Sequence, residues 1–336
     1  DPPPDRQQTY EKLTCVATFR QREVATAVIQ GEIVMYLDSV YKTRKKNNKE
    51  NVSGLLLSLM PVIGFLLFGL VPMILAIFMA FMHIEGFNFD NSYFNHGQNF
   101  VTVLSDSLFW QSIGNTFYMS LSTFINIILA LVVAFLLTKN IRGKKVFRTI
   151  YFIPYVCSVV AITLMWQWIF NTNYGIINRL FTAPGQKPTD WWGDAATFTP
   201  CLIIMGVWSG TGYGIILYGA ALTNVNNSLY EAAKVDGANS FQSFLHVTLP
   251  AISPTTFYLL ITGIIGALQE FARPQIISDA GGPNNAGVTV VFYLYRQAFK
   301  YYNMGVASAT AWLLAIIILV FTVINFAVSR LWVSYD

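Results

Sequence analysis

The chain has 336 residues, of which 54% are hydrophobic and 11% are charged, and its formal net charge is +4. In soluble domains about a quarter of the residues are charged. This composition therefore excludes an ordinary soluble protein and indicates an integral membrane protein. The positive charges form blocks that are typical of cytoplasmic loops, and they do not indicate a nucleic-acid-binding surface.

The first 51 residues form a more polar segment ahead of the apolar runs. Residues 11–41 hold a mixed run that contains Glu23, Glu32 and Asp38, which make it too charged for a membrane span. We therefore predict a cytoplasmic N-terminal segment, residues 1–51, with a cytoplasmic or interfacial helix. The membrane domain is predicted to cover residues 52–336.

Six apolar runs are long enough to cross a membrane. A hydrocarbon core of roughly 30 Å needs about 20 helical residues. The runs lack the short alternation of barrel strands, and backbone groups in lipid must bond internally, so helices are expected. The predicted fold class is an all-α integral membrane protein with six transmembrane helices. The runs cover residues 55–82, 113–138, 146–170, 200–222, 253–272 and 305–331.

The charges of the loops predict the orientation in the membrane. The segment before the first run and the loop at 139–145 are rich in Lys and Arg, whereas the loop at 83–112 has neither. The loop after the third run holds only Arg179 and Lys187. Because Lys and Arg accumulate in cytoplasmic loops, both termini are predicted to be cytoplasmic, and so is the loop at residues 223–252.

This cytoplasmic loop has the pattern of two short helices around a glycine. Asn227 or Ser228 can cap the first helix, and Gly237 can take the left-handed conformation that ends it. Asn239 or Ser240 can cap the second helix. A loop that only joins two spans does not need such a compact helix–turn–helix, so the pattern indicates a contact with a partner protein.

Motifs for catalysis are missing from the sequence. It has no CxxC, HExxH, GxSxG or phosphate-binding GxxxxGK[ST] motif, and its three cysteines and three histidines are scattered. We therefore expect no enzymatic activity, no metal site and no cofactor in this chain.

The letters EAAKVDGA at 231–238, followed by LP at 249–250 and by Pro254, resemble the cytoplasmic EAA loop of permease subunits in bacterial binding-protein-dependent ABC importers. This similarity covers roughly residues 52–333. It implies the type I ABC importer permease fold in the bacterial cytoplasmic membrane. Further phrases resemble the carbohydrate-importing, maltose-transporter branch: FRTIYFIPYV (147–156), WQWIFNTNYGIIN (166–178), GGP (281–283) and YLYRQAF (293–299).

The resemblance also implies partners. In that family two permease subunits, usually two different ones, sit on two ATPase subunits that bind ATP and magnesium, and an extracytoplasmic solute-binding protein delivers the sugar. The short helix of the cytoplasmic loop docks in a groove of the ATPase, where Glu231 would meet basic groups. The coupling residues that the resemblance implies are Glu231, Ala232, Ala233, Asp236 and Gly237.

Substrate-path residues are implied midway down spans four and five, where WSGTGYG (208–214) and LQEFARP (268–274) match the family's site regions. Aromatic rings stack on sugars and amides bond hydroxyls, although polar groups at such positions also serve packing between helices. The implied residues are Ser209, Gly210, Tyr213, Gln269, Glu270, Phe271 and Arg273.

Glu270 and Arg273 depart from the family's usual pattern. They are three residues apart, which predicts one helical face at the outer end of span five. One interpretation is a mutual ion pair that reaches towards the outer surface. The other is that Arg273 contacts an acidic sugar or a group of hydroxyls while Glu270 holds it in place.

Two other functional classes are compatible with six spans. The chain could be a scaffold or receptor whose cytoplasmic loop recruits a partner that is not an ATPase. An ion-coupled transporter would need paired charges along its spans, whereas only Glu270 and Arg273 stand out here. Co-purification of an ATPase and a second permease separates the importer from the scaffold.

Overall fold

The computed structural model describes Met35 and residues 53–86, 88–138 and 142–334. The chain divides into two compact units, Asp1–Ile74 and Leu75–Asp336. The predicted N-terminal segment and its helix lie outside the described residues, except for Met35. The predicted domain boundary after residue 51 therefore stays a prediction.

The described chain is mostly helical. The elements of its first half are α1 (Ser53–Ala80), β1 (Met82–Glu85), β2 (Asn88–Phe94), α2 (Gln98–Ser105), α3 (Ser107–Thr138), α4 (Lys144–Val156), α5 (Val159–Ile169) and α6 (Ile176–Phe181). The elements of its second half are α7 (Ala195–Asn224), α8 (Asn227–Val235), α9 (Ser240–Ser243), α10 (Ser253–Leu268), α11 (Ala272–Ile277), α12 (Val290–Tyr295) and α13 (Met304–Ser329). Additional turns are π-helical at Leu66–Leu70, Phe244–Thr248 and Arg296–Lys300, helical at Leu249–Ala251, and 3-10 at Pro283–Asn285.

Five stretches of the described chain are long and apolar enough to cross a membrane. They are α1, α3, α7, the segment Ser253–Ile277 that contains α10 and α11, and α13. Each coincides with one of the predicted apolar runs. The structure thus confirms a helical multi-pass membrane fold.

The predicted third run is broken. Helices α4 and α5 meet at an angle of 99° across Cys157 and Ser158, so the predicted run at 146–170 forms two helices rather than one. Pro154 has no N–H to donate within α4, and Cys157 takes an extended conformation (φ −67°, ψ 150°) that ends the helix. If the bent pair is one span, the described chain has six.

A small hairpin departs from the all-α prediction. Strands β1 and β2 pair antiparallel, with Met82 opposite Phe94 and His83 opposite Tyr93. Gly86 takes a positive φ of 65° in the connection, which suits glycine. This two-stranded sheet is the one sheet of the described residues, so the fold stays predominantly helical.

Helices α3, α4 and α7 pack closely because small residues line their contacts. A methyl group added at Gly214 of α7 would lie 2.6 Å from the Cβ of Ala130 on α3. A methyl group added at Gly212 would overlap the backbone carbonyl oxygen of Tyr151 on α4. Small residues that let backbones approach are the usual means by which helices associate in lipid.

Candidate functional site

A cavity of about 840 Å³ lies among the spanning helices. Its walls come from α3, the break between α4 and α5, the middle of α7, and the segment from α10 to α11. The structure brings together around it all the residues that were implied for the substrate path, namely Ser209, Gly210, Tyr213, Gln269, Glu270, Phe271 and Arg273. Their contact with a substrate stays a prediction.

Glu270 does not lie on a continuous helix with Arg273, as the sequence spacing suggested. The helix breaks after α10, and Phe271 has a non-helical φ of −140°. Pro274 explains the break, because it lacks the N–H that would bond the carbonyl oxygen of Glu270 in a helix. The hydroxyl group of Thr289 donates to that oxygen instead, at 2.6 Å.

Glu270 and Arg273 nevertheless form an ion pair, through Oε2 and Nη2. The backbone N–H of Arg273 also donates to Oε1 of Glu270 at 3.3 Å. Their side chains are 15% and 22% exposed, and both line the cavity. On its other side the guanidinium lies against Gly206 of α7, where an added methyl group would be 2.5 Å from Nη1. These two are the charged residues among those that line the cavity, so its wall carries no net charge.

Three tyrosines line the cavity together. The ring of Tyr155, next to the break in the third span, stacks on that of Tyr213 with centroids 4.9 Å apart and planes at 15°. The hydroxyl groups of Tyr213 and Tyr258 are 3.1 Å apart and share a hydrogen bond. The sequence reasoning named Tyr213 and missed the other two. Tyr155 lies within the phrase FRTIYFIPYV, whose resemblance to the carbohydrate-importing branch was the signal that could have identified it.

A polar cluster that the sequence reasoning also missed joins α3 to α7. Nδ2 of Asn126 donates to the carbonyl oxygen of Gly206 at 3.3 Å, and the hydroxyl group of Thr211 donates to Oδ1 of Asn126 at 2.7 Å. Thr123 of α3 donates to the carbonyl oxygen of Gly263 on α10 at 3.1 Å. Burying an amide in an apolar span costs free energy unless the amide forms hydrogen bonds. The presence of Asn126 in such a span was therefore a signal of a polar contact between helices.

Beyond the cavity, the connection between α11 and α13 is tied to the start of α3. The hydroxyl group of buried Tyr293 on α12 donates to Oδ2 of Asp106 at 2.8 Å. Burial, and then this hydrogen bond, raises the pKa of Tyr293 above its usual value. The hydroxyl group therefore keeps its proton and remains a donor at neutral pH.

The loop at residues 223–252 contains the two helices that its sequence predicts. The cap of α8 is Asn226, one residue before the predicted Asn227, and its Oδ1 accepts from the N–H of Ser228 at 3.0 Å. Gly237 has a φ of 78°, which confirms the predicted left-handed conformation. Asn239 caps α9 in a capping box with Gln242, which confirms one of the two caps that we predicted.

The residues that were implied for coupling lie at the surface of this loop. Glu231, Ala232, Asp236 and Gly237 are exposed, and Ala233 is half-buried. Glu231 forms no ion pair with any residue that the structure describes.

The same loop exposes two large apolar side chains, Val235 at 88% and Phe241 at 69%. Large apolar side chains exposed in a loop outside the spanning helices are not stabilised by contact with water. Such exposure is typical of a protein–protein contact.

Comparisons with known proteins show the family of this chain. The family described as "Binding-protein-dependent transport system inner membrane component" matches residues 126–333. The chain is 33% identical over 305 residues to the probable ABC transporter permease protein YesP of Bacillus subtilis (strain 168), covering 89% of this chain and 97% of YesP. It is 31% identical over 271 residues to the arabinooligosaccharides transport system permease protein AraP of the same organism, covering 80% of this chain and 85% of AraP.

A solved structure has a similar fold. It is the crystal structure of a bacterial alginate ABC transporter in complex with an alginate pentasaccharide-bound periplasmic protein. The TM-score is 0.69 at 25% sequence identity, and the match covers 85% of this chain and 96% of that chain.

Proposed function

This chain belongs to the family of binding-protein-dependent transport system inner membrane components, and from that membership we propose that it is the permease subunit of an ATP-driven sugar importer. It carries a sugar or oligosaccharide across the bacterial cytoplasmic membrane. The observation that carries the proposal is the cavity of about 840 Å³ inside the membrane domain, lined by tyrosines, amides and one neutralised ion pair. Such a lining suits the faces and hydroxyl groups of a sugar.

The substrate class rests on the relatives together with this lining. AraP is named for arabinooligosaccharides, and the alginate transporter was solved with a pentasaccharide-bound periplasmic protein. In the proposed assembly an extracytoplasmic binding protein delivers the sugar, a second homologous permease completes the path, and both termini of this chain are cytoplasmic.

Coupling to ATP is assigned to the loop at 223–252. Two partner ATPase subunits bind ATP and magnesium, and this chain performs no chemistry. Helix α8 docks on an ATPase, with Glu231 facing basic groups and the thin surface of Ala232 and Ala233 entering a groove. The exposed Val235 and Phe241 are covered in that contact. Closure of the ATPases then moves the loop and, through it, α7 and α10.

In the cavity, Tyr213 and its stacked partner Tyr155 offer an aromatic surface to the sugar. Glu270 holds Arg273, which keeps donors available on the side that faces α7. Because the pair leaves no net charge on the wall, we assign sugar hydroxyl groups as the partners of Arg273.

The test is a co-purification followed by an ATPase assay. The chain is expressed with its genomic neighbours, and the purified complex is given binding protein and a panel of neutral and acidic glycans. An ATPase and a second permease should co-purify, and one glycan class should stimulate hydrolysis.

Glu231→Ala should remove that stimulation without releasing the chain from the membrane. The exposed Asn227→Ala on the same helix is the matched control and should keep it. A chain that purifies with a partner that is not an ATPase is the scaffold instead.

The role of Arg273 is tested by exchanging the charges, Glu270→Arg with Arg273→Glu. If Arg273 bonds the sugar, the exchanged pair restores assembly but weakens uptake by about one to two decades, because a charged hydrogen bond contributes roughly 1.5–3 kcal/mol. Unchanged half-saturation for the sugar would remove Arg273 from the site.

A further inference from the structure

Helix α6 exposes large apolar side chains outside the spanning helices. It lies in the loop at residues 170–194, between α5 and α7, which we call the α6 loop. Leu180 is 70% exposed and Phe181 is 77% exposed. Ile176, one helical turn before Leu180, is exposed as well. Apolar side chains grouped in this way mark an interaction surface.

Hydrogen bonds of one buried side chain, Asn178, fix the conformation of the loop. Nδ2 of buried Asn178 donates to the carbonyl oxygens of Thr172 at 3.0 Å and of Thr189 at 2.8 Å. Nε1 of Trp191 donates to Oδ1 of Asn178 at 2.9 Å. These bonds join both arms of the loop to α6, so the helix presents one fixed face.

The apolar face of α6 continues from the exposed apolar side of α5. Val160, Leu164 and Trp168 are exposed at i, i+4 and i+8 along α5. At 100° per residue, this stripe lies opposite Val159 and Ile162, which line the cavity. In a membrane protein, the side of a spanning helix that points away from an internal cavity is available to lipid or to a neighbouring subunit.

The stripe then passes from the span to the loop. The ring of Tyr174 lies 6.4 Å from that of Trp168, with Ile176 and Leu180 following along α6. Aromatic rings at the end of a span are typical of the membrane–water interface.

A positive charge lies next to this face. Arg179 is exposed within α6 and forms no ion pair with any described residue. Oδ1 of Asp190, a carboxylate of the same loop, accepts from the hydroxyl group of Thr172 at 2.9 Å and from the N–H of Gly193 at 3.1 Å. An apolar helical face with a free cation at its edge fits the surface of a bilayer, whose phosphates are anionic.

We propose that α6 is a membrane-surface anchor. It lies on the bilayer at the end of α5, with Ile176, Leu180 and Phe181 among the lipid chains and Arg179 at the lipid phosphates. It holds that end of the broken third span, and so one wall of the cavity, at a fixed depth. This inference does not rest on the proposed transport function.

A fluorescent depth measurement tests the proposal. The whole complex, with its co-purifying subunits, is placed in lipid nanodiscs and labelled with a nitrobenzoxadiazole probe at Leu180→Cys. Gln186→Cys, exposed in the same loop, is the matched control. Both are made on a background of Cys15→Ser and Cys157→Ser, because the label would also react with other accessible thiols, whereas Cys201 is buried. The Leu180 probe should emit at shorter wavelength than the control, lose intensity with lipids doxyl-labelled near the headgroup, and resist aqueous iodide.

Three results would overturn the anchor. The Leu180 probe could be as open to iodide as the Gln186 probe. It could be shielded only after the binding protein is added, which would make α6 a docking site for that protein. It could be shielded from iodide and also insensitive to the doxyl lipids, which would place another subunit over it.

A second variant tests the phosphate contact separately. In nanodiscs with phosphatidylglycerol, the Leu180 probe should lie deeper than in nanodiscs of phosphatidylcholine alone. Arg179→Gln should abolish that difference. A difference that persists in the variant would contradict the role of Arg179.

Discussion

The loops at the two ends of α7 both expose large apolar side chains, but they are held in different ways. In the α6 loop, one buried amide, that of Asn178, bonds both arms and a tryptophan. In the loop at 223–252, each short helix has its own cap, at Asn226 and at Asn239. Side-chain contacts that bridge this second loop include the hydrogen bond between Tyr230 and Thr248, at 2.9 Å.

We relate this difference to the surface that each loop is proposed to meet. The α6 loop is held as one rigid unit, whereas the loop at 223–252 consists of separately stabilised helices. A bilayer is a passive surface, and a loop that rests on it only has to keep one face in one place. A loop that transmits the motion of an ATPase must move as a body, so its helices are stabilised locally and joined through one left-handed glycine, Gly237. The predictions below substitute matched residues in the two loops.

The largest contrast is expected for a pair of glycines. Gly237 and Gly185 both have a positive φ, of 78° and 85°, and both have open space around them. Valine at either position adds about 1–3 kcal/mol of backbone strain. Gly237→Val should lower sugar-stimulated ATP hydrolysis by about tenfold or more, since about 1.4 kcal/mol of misplaced docking is tenfold.

Gly185→Val carries the same kind of strain in the α6 loop and should leave ATP hydrolysis close to that of the parent. The assay is hydrolysis by the reconstituted complex with saturating binding protein and sugar. Equal losses in the two variants would mean that strain anywhere in the chain lowers activity and that Gly237 has no special place in coupling.

A pair of asparagines should give the next largest contrast, in stability. Asn178→Ala leaves the carbonyl oxygens of Thr172 and Thr189 and the indole N–H of Trp191 without this partner, which costs about 1–3 kcal/mol for each group that water cannot reach. Asn239→Ala removes an exposed helix cap and costs about 1 kcal/mol. Thermal unfolding of the purified complex should therefore begin at a lower temperature for Asn178→Ala. The reverse order would show that the α6 loop is not the stiffer of the two.

The smallest contrast is expected for a pair of tyrosines. Tyr230→Phe loses the hydrogen bond to Thr248, which is worth about 0.5–1.5 kcal/mol. It should lower coupled ATP hydrolysis by about two- to tenfold. The hydroxyl group of Tyr174 has no hydrogen-bond partner among the described residues, so Tyr174→Phe is the control and should change neither hydrolysis nor unfolding. A loss in Tyr174→Phe as large as that in Tyr230→Phe would remove the bridging role of the Tyr230 hydroxyl.

Hydropathy predicted where the chain crosses the membrane, because long apolar runs have one stable conformation in lipid. It did not predict the breaks. Pro274 marked the one beside Glu270, but the hydroxyl group of Thr289, which satisfies the freed carbonyl oxygen, comes from a distant segment. At the 99° bend, Pro154 was a local signal for a break, but hydropathy alone does not register it.

The residues of the cavity divide in the same way. Ser209, Gly210, Tyr213, Gln269, Glu270, Phe271 and Arg273 were found from phrases that resemble a family, and the fold places them around one space. Tyr155, Tyr258 and Asn126 join that space through contacts between helices that are far apart in sequence. Spacing along one helix could not reveal them.

The ion pair in the cavity also has an electrical consequence. Moving one elementary charge through the membrane field changes the free energy by about 2.3 kcal/mol per 100 mV. Glu270 and Arg273 are joined and cancel, so a conformational cycle that shifts this wall displaces no net charge. The transport rate for a neutral sugar should then be indifferent to the membrane potential. Glu270→Gln, which leaves the arginine alone, would give the cycle a gating charge and make the rate depend on voltage.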